Sequence, residues 1–160
     1  MSINNSNPVT LPPMLMIRQN FEVPPPLDIE AAMDVEWDRL APTLGISPAA
    51  RIAVGVGSRG IDNLARVTRK VVDKLRQAGT KPFVIPAMGS HGGATAQGQI
   101  EVLAERGITE QSAGAPIEAS METISLGTGG ENIPLFLDRL AYEADGIVLI
   151  NRVKPHTNFI

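Results

Sequence analysis

The chain has 160 residues, of which 43% are hydrophobic and 4% aromatic, and its formal net charge is −3 at pH 7. This length and composition suit one domain with a single core, whereas the acidic balance and the few aromatic side chains disfavour nucleic acid as a partner. Because the chain contains no cysteine, disulfides, thiolate nucleophiles and zinc sites with sulfur ligands are excluded.

The amino-terminal residues do not match the pattern of a secretion signal. Residues 1–13 are rich in Asn, Ser and Pro, which predicts a disordered tail. No basic stretch is followed by an apolar run, and no segment approaches the roughly 18 consecutive apolar residues of a membrane span. We therefore expect a cytoplasmic protein that has no membrane partner, and a homo-oligomer is left open.

The first predicted elements are an edge strand and a helix. The apolar stretch 14–21 predicts a short edge strand, which the three prolines at 24–26 end. Asp28 is a good N-cap for a helix that reaches Leu40, because apolar residues recur there every three or four positions. Pro42 and Gly45 are expected to end that helix.

The clearest pattern is a strand–helix–strand unit. Residues 51–57 and 82–87 read as strands, and 62–78 read as an amphipathic helix. Gly79 supplies the left-handed residue that ends the helix. Two strands joined through a helix in this way should lie parallel in one sheet.

The second half adds a helix, an antiparallel pair and a last strand. Thr95 is predicted to cap a helix that Gly107 closes. Alternating residues 121–126 and the stretch 133–137 predict strands that pair antiparallel. Residues 146–150 are apolar on both faces, which predicts a central covered strand. The sequence thus predicts an α/β fold, Rossmann-like, with a mostly parallel sheet, flanking helices and an antiparallel edge.

Three loops follow the carboxyl ends of the predicted parallel strands, where open α/β sheets bind their ligands. They cover residues 57–60, 89–93 and 151–156, and they contain both histidines of the chain, His91 and His156. We therefore expect a ligand cleft at this edge of the sheet.

The first loop matches the spacing of a dinucleotide-binding fingerprint, Gly-x-Gly-x-x-Gly, over residues 55–60. The acidic residue that would bind the ribose is missing after the next strand, so nicotinamide binding and a dehydrogenase are disfavoured. Arg59 instead suits a carboxylate or phosphate at the start of the following helix, and a surface salt bridge is the alternative interpretation.

His91 lies among Gly89, Gly92 and Gly93, which leave its imidazole uncrowded. This setting suits a group that touches a small ligand and exchanges a proton near neutral pH. The alternative is a loop histidine that only caps a turn.

His156 follows Arg152 and Lys154, whose positive charges would hold an anion beside its ring. The alternative is a solvated loop residue. The two histidines lie far apart in the sequence without a metal-binding spacing, so we assign no metal ligands.

Three stretches resemble the amino-terminal domain of the lactate racemase family, the nickel-pincer-nucleotide-dependent 2-hydroxyacid racemases and epimerases. They are VGVGSRGI (54–61), IPAMGSHGGATAQGQ (85–99) and GIVLINRVKPHTNF (146–159), and the resemblance extends over residues 14–160.

This resemblance implies an isomerase that acts on a small anionic 2-hydroxy acid. His91 and His156 would be the catalytic pair that flanks the substrate carbon and exchanges the hydroxyl proton, while the cofactor takes and returns a hydride. Arg59 would bind the substrate carboxylate. Ser58 and Lys154 are assigned to cofactor binding.

The chain departs from the family pattern in places. The family's Asp-x-Thr-Arg-Pro stretch is here Val-Gly-Ser-Arg-Gly (56–60), and Gly92 stands where an arginine often follows the histidine. These departures point away from lactate itself. The family's cofactor lysine and nickel-ligand histidine lie beyond the Pro-His motif, so we expect a chain truncated before that segment and the second domain, and inactive alone. The alternative function is a non-catalytic anion- or nucleotide-binding fragment.

Overall fold

A computed structural model describes residues 13–58 and 60–152, without the side chain of Glu131. Three of the predicted site residues, Arg59, Lys154 and His156, lie outside the described residues, as do residues 1–12 of the predicted tail.

Helices and strands alternate along most of the described chain. Their order is α1 (Ile29–Leu40), β1 (Arg51–Val56), α2 (Leu64–Gln77), β2 (Lys81–Pro86), α3 (Ala96–Glu105), α4 (Glu110–Ala113), β3 (Thr123–Thr128), β4 (Pro134–Asp138), α5 (Arg139–Tyr142) and β5 (Gly146–Ile150). Short 3-10 turns occupy Ala41–Thr43, Gly92–Ala94 and Gly130–Asn132. None of the helices within 13–58 and 60–152 has the length and apolar character needed to cross a bilayer.

The main sheet has the strand order β2-β1-β5, and both pairings are parallel. Backbone hydrogen bonds continue past the strand ends, from the N–H of Ala87 to the carbonyl of Val56 (2.8 Å) and from the N–H of Gly57 to the carbonyl of Ile150 (3.3 Å). The carboxyl ends of all three strands therefore meet at one edge. The predicted α/β fold with a mostly parallel sheet is confirmed.

The antiparallel pair predicted for the second half is also present. Strands β3 and β4 pair antiparallel, with an irregular register between Ser125 and Gly127. They form a separate two-stranded sheet and do not extend the edge of the parallel sheet. The alternating pattern thus predicted the hairpin correctly but not its position.

Two hydrophobic clusters cover opposite faces of the parallel sheet, because successive side chains of a strand point in opposite directions. On β1, Val54 and Val56 are fully buried on one face, and Ala53 is fully buried on the other. The larger cluster packs the sheet against α2 and α3, and its members include Ile52, Val72, Leu75, Val84, Leu103 and Ile150. The smaller cluster joins the sheet to α5 and contains Ala53, Phe83, Ile85 and Ala141.

The predicted helix starts are built as expected. The carboxylate of Asp28 accepts a hydrogen bond from the backbone N–H of Ala31 at 3.0 Å, and the hydroxyl of Thr95 accepts one from the N–H of Gly98 at 3.1 Å. These side chains satisfy donors that have no partner in the first turn of a helix.

An ion-pair cluster joins α1 to α2. The Oδ1 atom of Asp34 lies 2.8 Å from the Nζ atom of Lys70 and 2.6 Å from that of Lys74. Hydrogen bonds from both lysines hold the pKa of Asp34 below its usual range, since they stabilise the ionised carboxylate.

The predicted edge strand at 14–21 is wrong, because this segment forms no strand. The side chains of Met14, Leu15, Met16 and Ile17 are between 84% and 101% exposed. An apolar stretch becomes a strand only when a partner supplies hydrogen bonds and buries one face.

The predicted central position of residues 146–150 is also wrong. Strand β5 lies at the edge of the parallel sheet formed by the described residues, and β1 is central. Ile147 and Leu149 of β5 are 43% and 63% exposed. Apolar residues on both faces indicate burial, but they do not determine the order of strands.

Candidate functional site

A cleft of about 250 Å³ opens at the carboxyl edge of the parallel sheet. It is smaller than the roughly 300–1,000 Å³ of pockets for drug-sized ligands, so it suits a small metabolite. The described residues of the three predicted loops meet here. The lining residues are Gly57, Ser58, Gly60, Ile61, Ala87, His91, Asn151 and Arg152.

Ser58 and His91 form a hydrogen-bonded pair within the cleft. The Oγ atom of Ser58 lies 2.5 Å from Nδ1 of His91, and Ser58 is only 5% exposed. The proton lies on either atom of this bond according to the histidine tautomer. Because Nδ1 is engaged by Ser58, Nε2 is the ring nitrogen that can exchange a proton with a ligand.

The loop that carries His91 depends on glycine. Gly89, Gly92 and Gly93 have φ angles of +62°, +64° and +66°, a region that side chains disfavour. The glycines of this loop thus give the backbone the unusual angles that the sequence predicted.

Helix α3 packs against the loop that carries His91. Gln99 is 5% exposed, and its Nε2 donates a hydrogen bond to the carbonyl of Gly89 at 2.8 Å. Gly98 packs so closely that a Cβ atom on it would overlap the carbonyl oxygen of Gly92. Sequence reasoning missed Gln99, since its contact crosses from a helix to the preceding loop without a local pattern.

The residues after β5 pack over two glycines of the loop after β1. A Cβ atom on Gly57 would lie 3.2 Å from Oδ1 of Asn151, and one on Gly60 would lie 2.8 Å from Nη1 of Arg152. Sequence reasoning gave no role to Asn151 and treated Arg152 only as a local charge. The glycine at position 60 is the signal that could have pointed to this contact.

A second cavity of about 400 Å³ adjoins the start of α2 and shares Ser58 and Gly60 with the cleft. It is also lined by Glu105, Arg106 and Arg66, and the guanidinium of Arg66 is paired with Glu30 at 2.6 Å. The N-cap residue Asn63 makes no side-chain capping bond to the helix. Free N–H groups at a helix start, with Arg106 beside them, are compatible with a phosphate group.

The cleft and the neighbouring cavity can be compared with the nickel-pincer nucleotide that the sequence resemblance implies. The start of α2 and the cavity beside it suit the phosphate of a nucleotide. In the stretches 13–58 and 60–152, no group of three or more His, Cys, Asp or Glu side chains is arranged to hold a metal ion. The described residues therefore suit a nucleotide phosphate and supply no set of nickel ligands.

The structure places two of the five predicted site residues, His91 and Ser58, together in the cleft. The positions of Arg59, Lys154 and His156 remain predictions, because these residues lie outside the described ranges.

A larger cavity, of about 600 Å³, lies at the opposite end of the sheet beside the starts of β1 and β5. Asp145 is the sole titratable residue among its lining, and its carboxylate accepts a hydrogen bond from the backbone N–H of Arg51 at 2.7 Å. This cavity therefore has no histidine among its lining residues, unlike the smaller cleft.

A family model for the lactate racemase N-terminal domain matches residues 38–159, which is more than half of the chain. The match spans the cleft residues Ser58, Gly60, His91 and Arg152, and it confirms the resemblance drawn from the three sequence stretches. No curated protein and no solved structure matches the chain.

Proposed function

The chain belongs to the lactate racemase family through its amino-terminal domain, and on this basis we propose that the protein racemises or epimerises a small 2-hydroxy acid. One observation carries the proposal. His91 lies in a cleft of metabolite size, and the buried Ser58 holds its ring through Nδ1.

In this proposal, Nε2 of His91 takes the proton of the substrate hydroxyl on one face of the reacting carbon. Inversion needs a second group on the other face, and His156 is proposed for that role by the family resemblance. The two rings then exchange the tasks of acceptor and donor in the two directions of the reaction.

When bound, the nickel-pincer nucleotide supplies the acceptor for the hydride that leaves the substrate carbon and later returns to it. Ser58 and Lys154 are proposed to contact this cofactor, and Arg59 is proposed to hold the substrate carboxylate. The start of α2 is the described feature that suits the nucleotide phosphate.

A second candidate function is an anion- or nucleotide-binding module without catalysis. The observation that favours it is the 400 Å³ cavity at the start of α2, which Arg106 lines. The racemase needs His91 for its reaction, whereas the binding module performs no reaction.

The test measures conversion of a single enantiomer of a 2-hydroxy acid by chiral chromatography, with a full-length version of the protein that is loaded with cofactor. His91→Ala and His156→Ala are each expected to lower the rate at least about a hundredfold, the usual contribution of a general acid or base. Arg76→Gln, a change of an exposed residue at the end of α2, serves as the control and should leave the rate unchanged. Near-normal turnover in either histidine variant would refute the proposal.

A further inference from the structure

Arg152 occupies the space directly over Gly60. A Cβ atom on Gly60 would lie 2.8 Å from Nη1 and 3.1 Å from Cδ of Arg152, so any side chain at position 60 would displace the arginine. Gly60 also has a φ angle of +70°, which favours glycine. The guanidinium therefore lies against the loop after β1, in the cleft that contains His91.

The charge of Arg152 is not balanced by a nearby acid of the described chain. None of the ion pairs formed by residues 13–58 and 60–152 includes Arg152. Its described neighbours in the cleft include no carboxylate: they are Gly57, Ser58, Gly60, Ile61, Ala87, His91 and Asn151. An arginine fork in such surroundings is suited to bind a carboxylate or a phosphate group.

We propose that Arg152 binds a second anionic group of the substrate, so that the protein acts on a 2-hydroxy acid with a further carboxylate or phosphate. The inference rests on the proposed function, in which another cation, Arg59, holds the carboxylate next to the reacting carbon. A substrate with one negative charge would leave one of the two cations without a partner. A dianion neutralises both, and charge complementarity of this kind discriminates between substrates.

The experiment is a calorimetric titration of the protein, with and without cofactor, with three 2-hydroxy acids. Lactate carries one carboxylate, malate carries two, and 3-phosphoglycerate carries a carboxylate and a phosphate. We expect malate or 3-phosphoglycerate to bind at least about tenfold more tightly than lactate, the effect of one charge-assisted contact. The better of the two identifies the second anionic group.

Two variants should abolish this preference. Arg152→Gln removes the charge and is expected to weaken binding of the preferred dianion about ten- to a hundredfold, with lactate affinity unchanged. Gly60→Ala should act in the same direction, since the new methyl group displaces the guanidinium. Circular dichroism checks that each variant is folded.

Two matched controls separate this effect from general charge and backbone strain. Arg76→Gln removes an exposed arginine far along α2 and should leave the preference intact. Gly45→Ala introduces a side chain at a comparable φ of +58°, with no atom within 4 Å of its Cβ, and should also leave it intact.

Equal binding of all three acids by the natural protein would overturn the inference, as would an equal loss of lactate and dianion affinity in Arg152→Gln. The proposed function fails separately. Arg152-dependent binding without racemisation of any of the three acids would refute the racemase and leave only the anion-binding role of Arg152, whereas racemisation without an Arg152-dependent preference would refute the inference alone.

Discussion

The hydroxyl oxygen of Ser58 and Nδ1 of His91 lie 2.5 Å apart, although 33 positions separate the two residues in the chain. Ser58 follows β1, and His91 follows β2. Because Ser58 is buried, water does not compete for this bond. The orientation of the imidazole therefore depends on a neighbouring loop as well as on its own.

Ser58→Ala removes this bond and should allow the His91 ring to rotate. We expect racemisation by the full-length, cofactor-loaded protein to slow about tenfold or more, since misplacement of a reacting group reduces rate steeply. Ser58→Thr keeps the hydroxyl and should restore most of the rate. The ¹⁵N shifts of the imidazole give an independent reading, because they distinguish a single tautomer from a mixture. A single unchanged tautomer and an unchanged rate in Ser58→Ala would rule out a positioning role.

Gly98→Ala should destabilise the protein, contrary to the usual effect of this change in a helix. Alanine normally stabilises a helix by about 1 kcal/mol relative to glycine. Here the new Cβ would overlap the carbonyl oxygen of Gly92, and forcing an atom into packed backbone costs about 1–3 kcal/mol. Urea unfolding measures the difference. Gly130→Ala is the control, since no atom lies within 4 Å of its Cβ and its φ is not positive. A Gly98→Ala variant as stable as the natural protein would show that α3 and the His91 loop are not in this close contact.

Asp34→Asn should lower stability at neutral pH and have little effect in acid. Lys70 and Lys74 hold the pKa of Asp34 below its usual value of about 4. A carboxyl whose pKa is lowered by folding stabilises the native state above that usual value, and this contribution is lost as the pH falls through the lower, folded-state pKa. Urea unfolding at pH 7 and at successively lower pH should show the two proteins converging. Asp38→Asn, an exposed change on the same helix, should give no such convergence.

The helices could be predicted because their signals are local. Buried residues recur along α2 at Leu64, Thr68, Val72 and Leu75, with a spacing of three or four. The predictions that failed concern which segments pair or pack with one another. Met14 and its neighbours have the composition of a strand but lie beside no strand edge, and the apolar run of β5 did not show that Ile147 and Leu149 would be exposed.

The same distinction applies to the cleft. His91 and Ser58 could be found because each lies in a glycine-containing loop at the end of a predicted strand. The bond between them, the support from Gln99 and the position of Arg152 depend on contacts between separate segments. A single sequence contains no pattern that predicts such contacts. A glycine without a local explanation, such as Gly60, is the one hint that another segment packs closely there.

The close packing of Gly57 against Asn151, and of Gly60 against Arg152, couples the loop after β1 to the residues after β5. A side chain at position 60 would displace the guanidinium, and the φ angle of +70° would keep it strained even beside a smaller residue at position 152. Redesign of the acids that the cleft accepts should therefore vary position 152 and keep glycine at position 60.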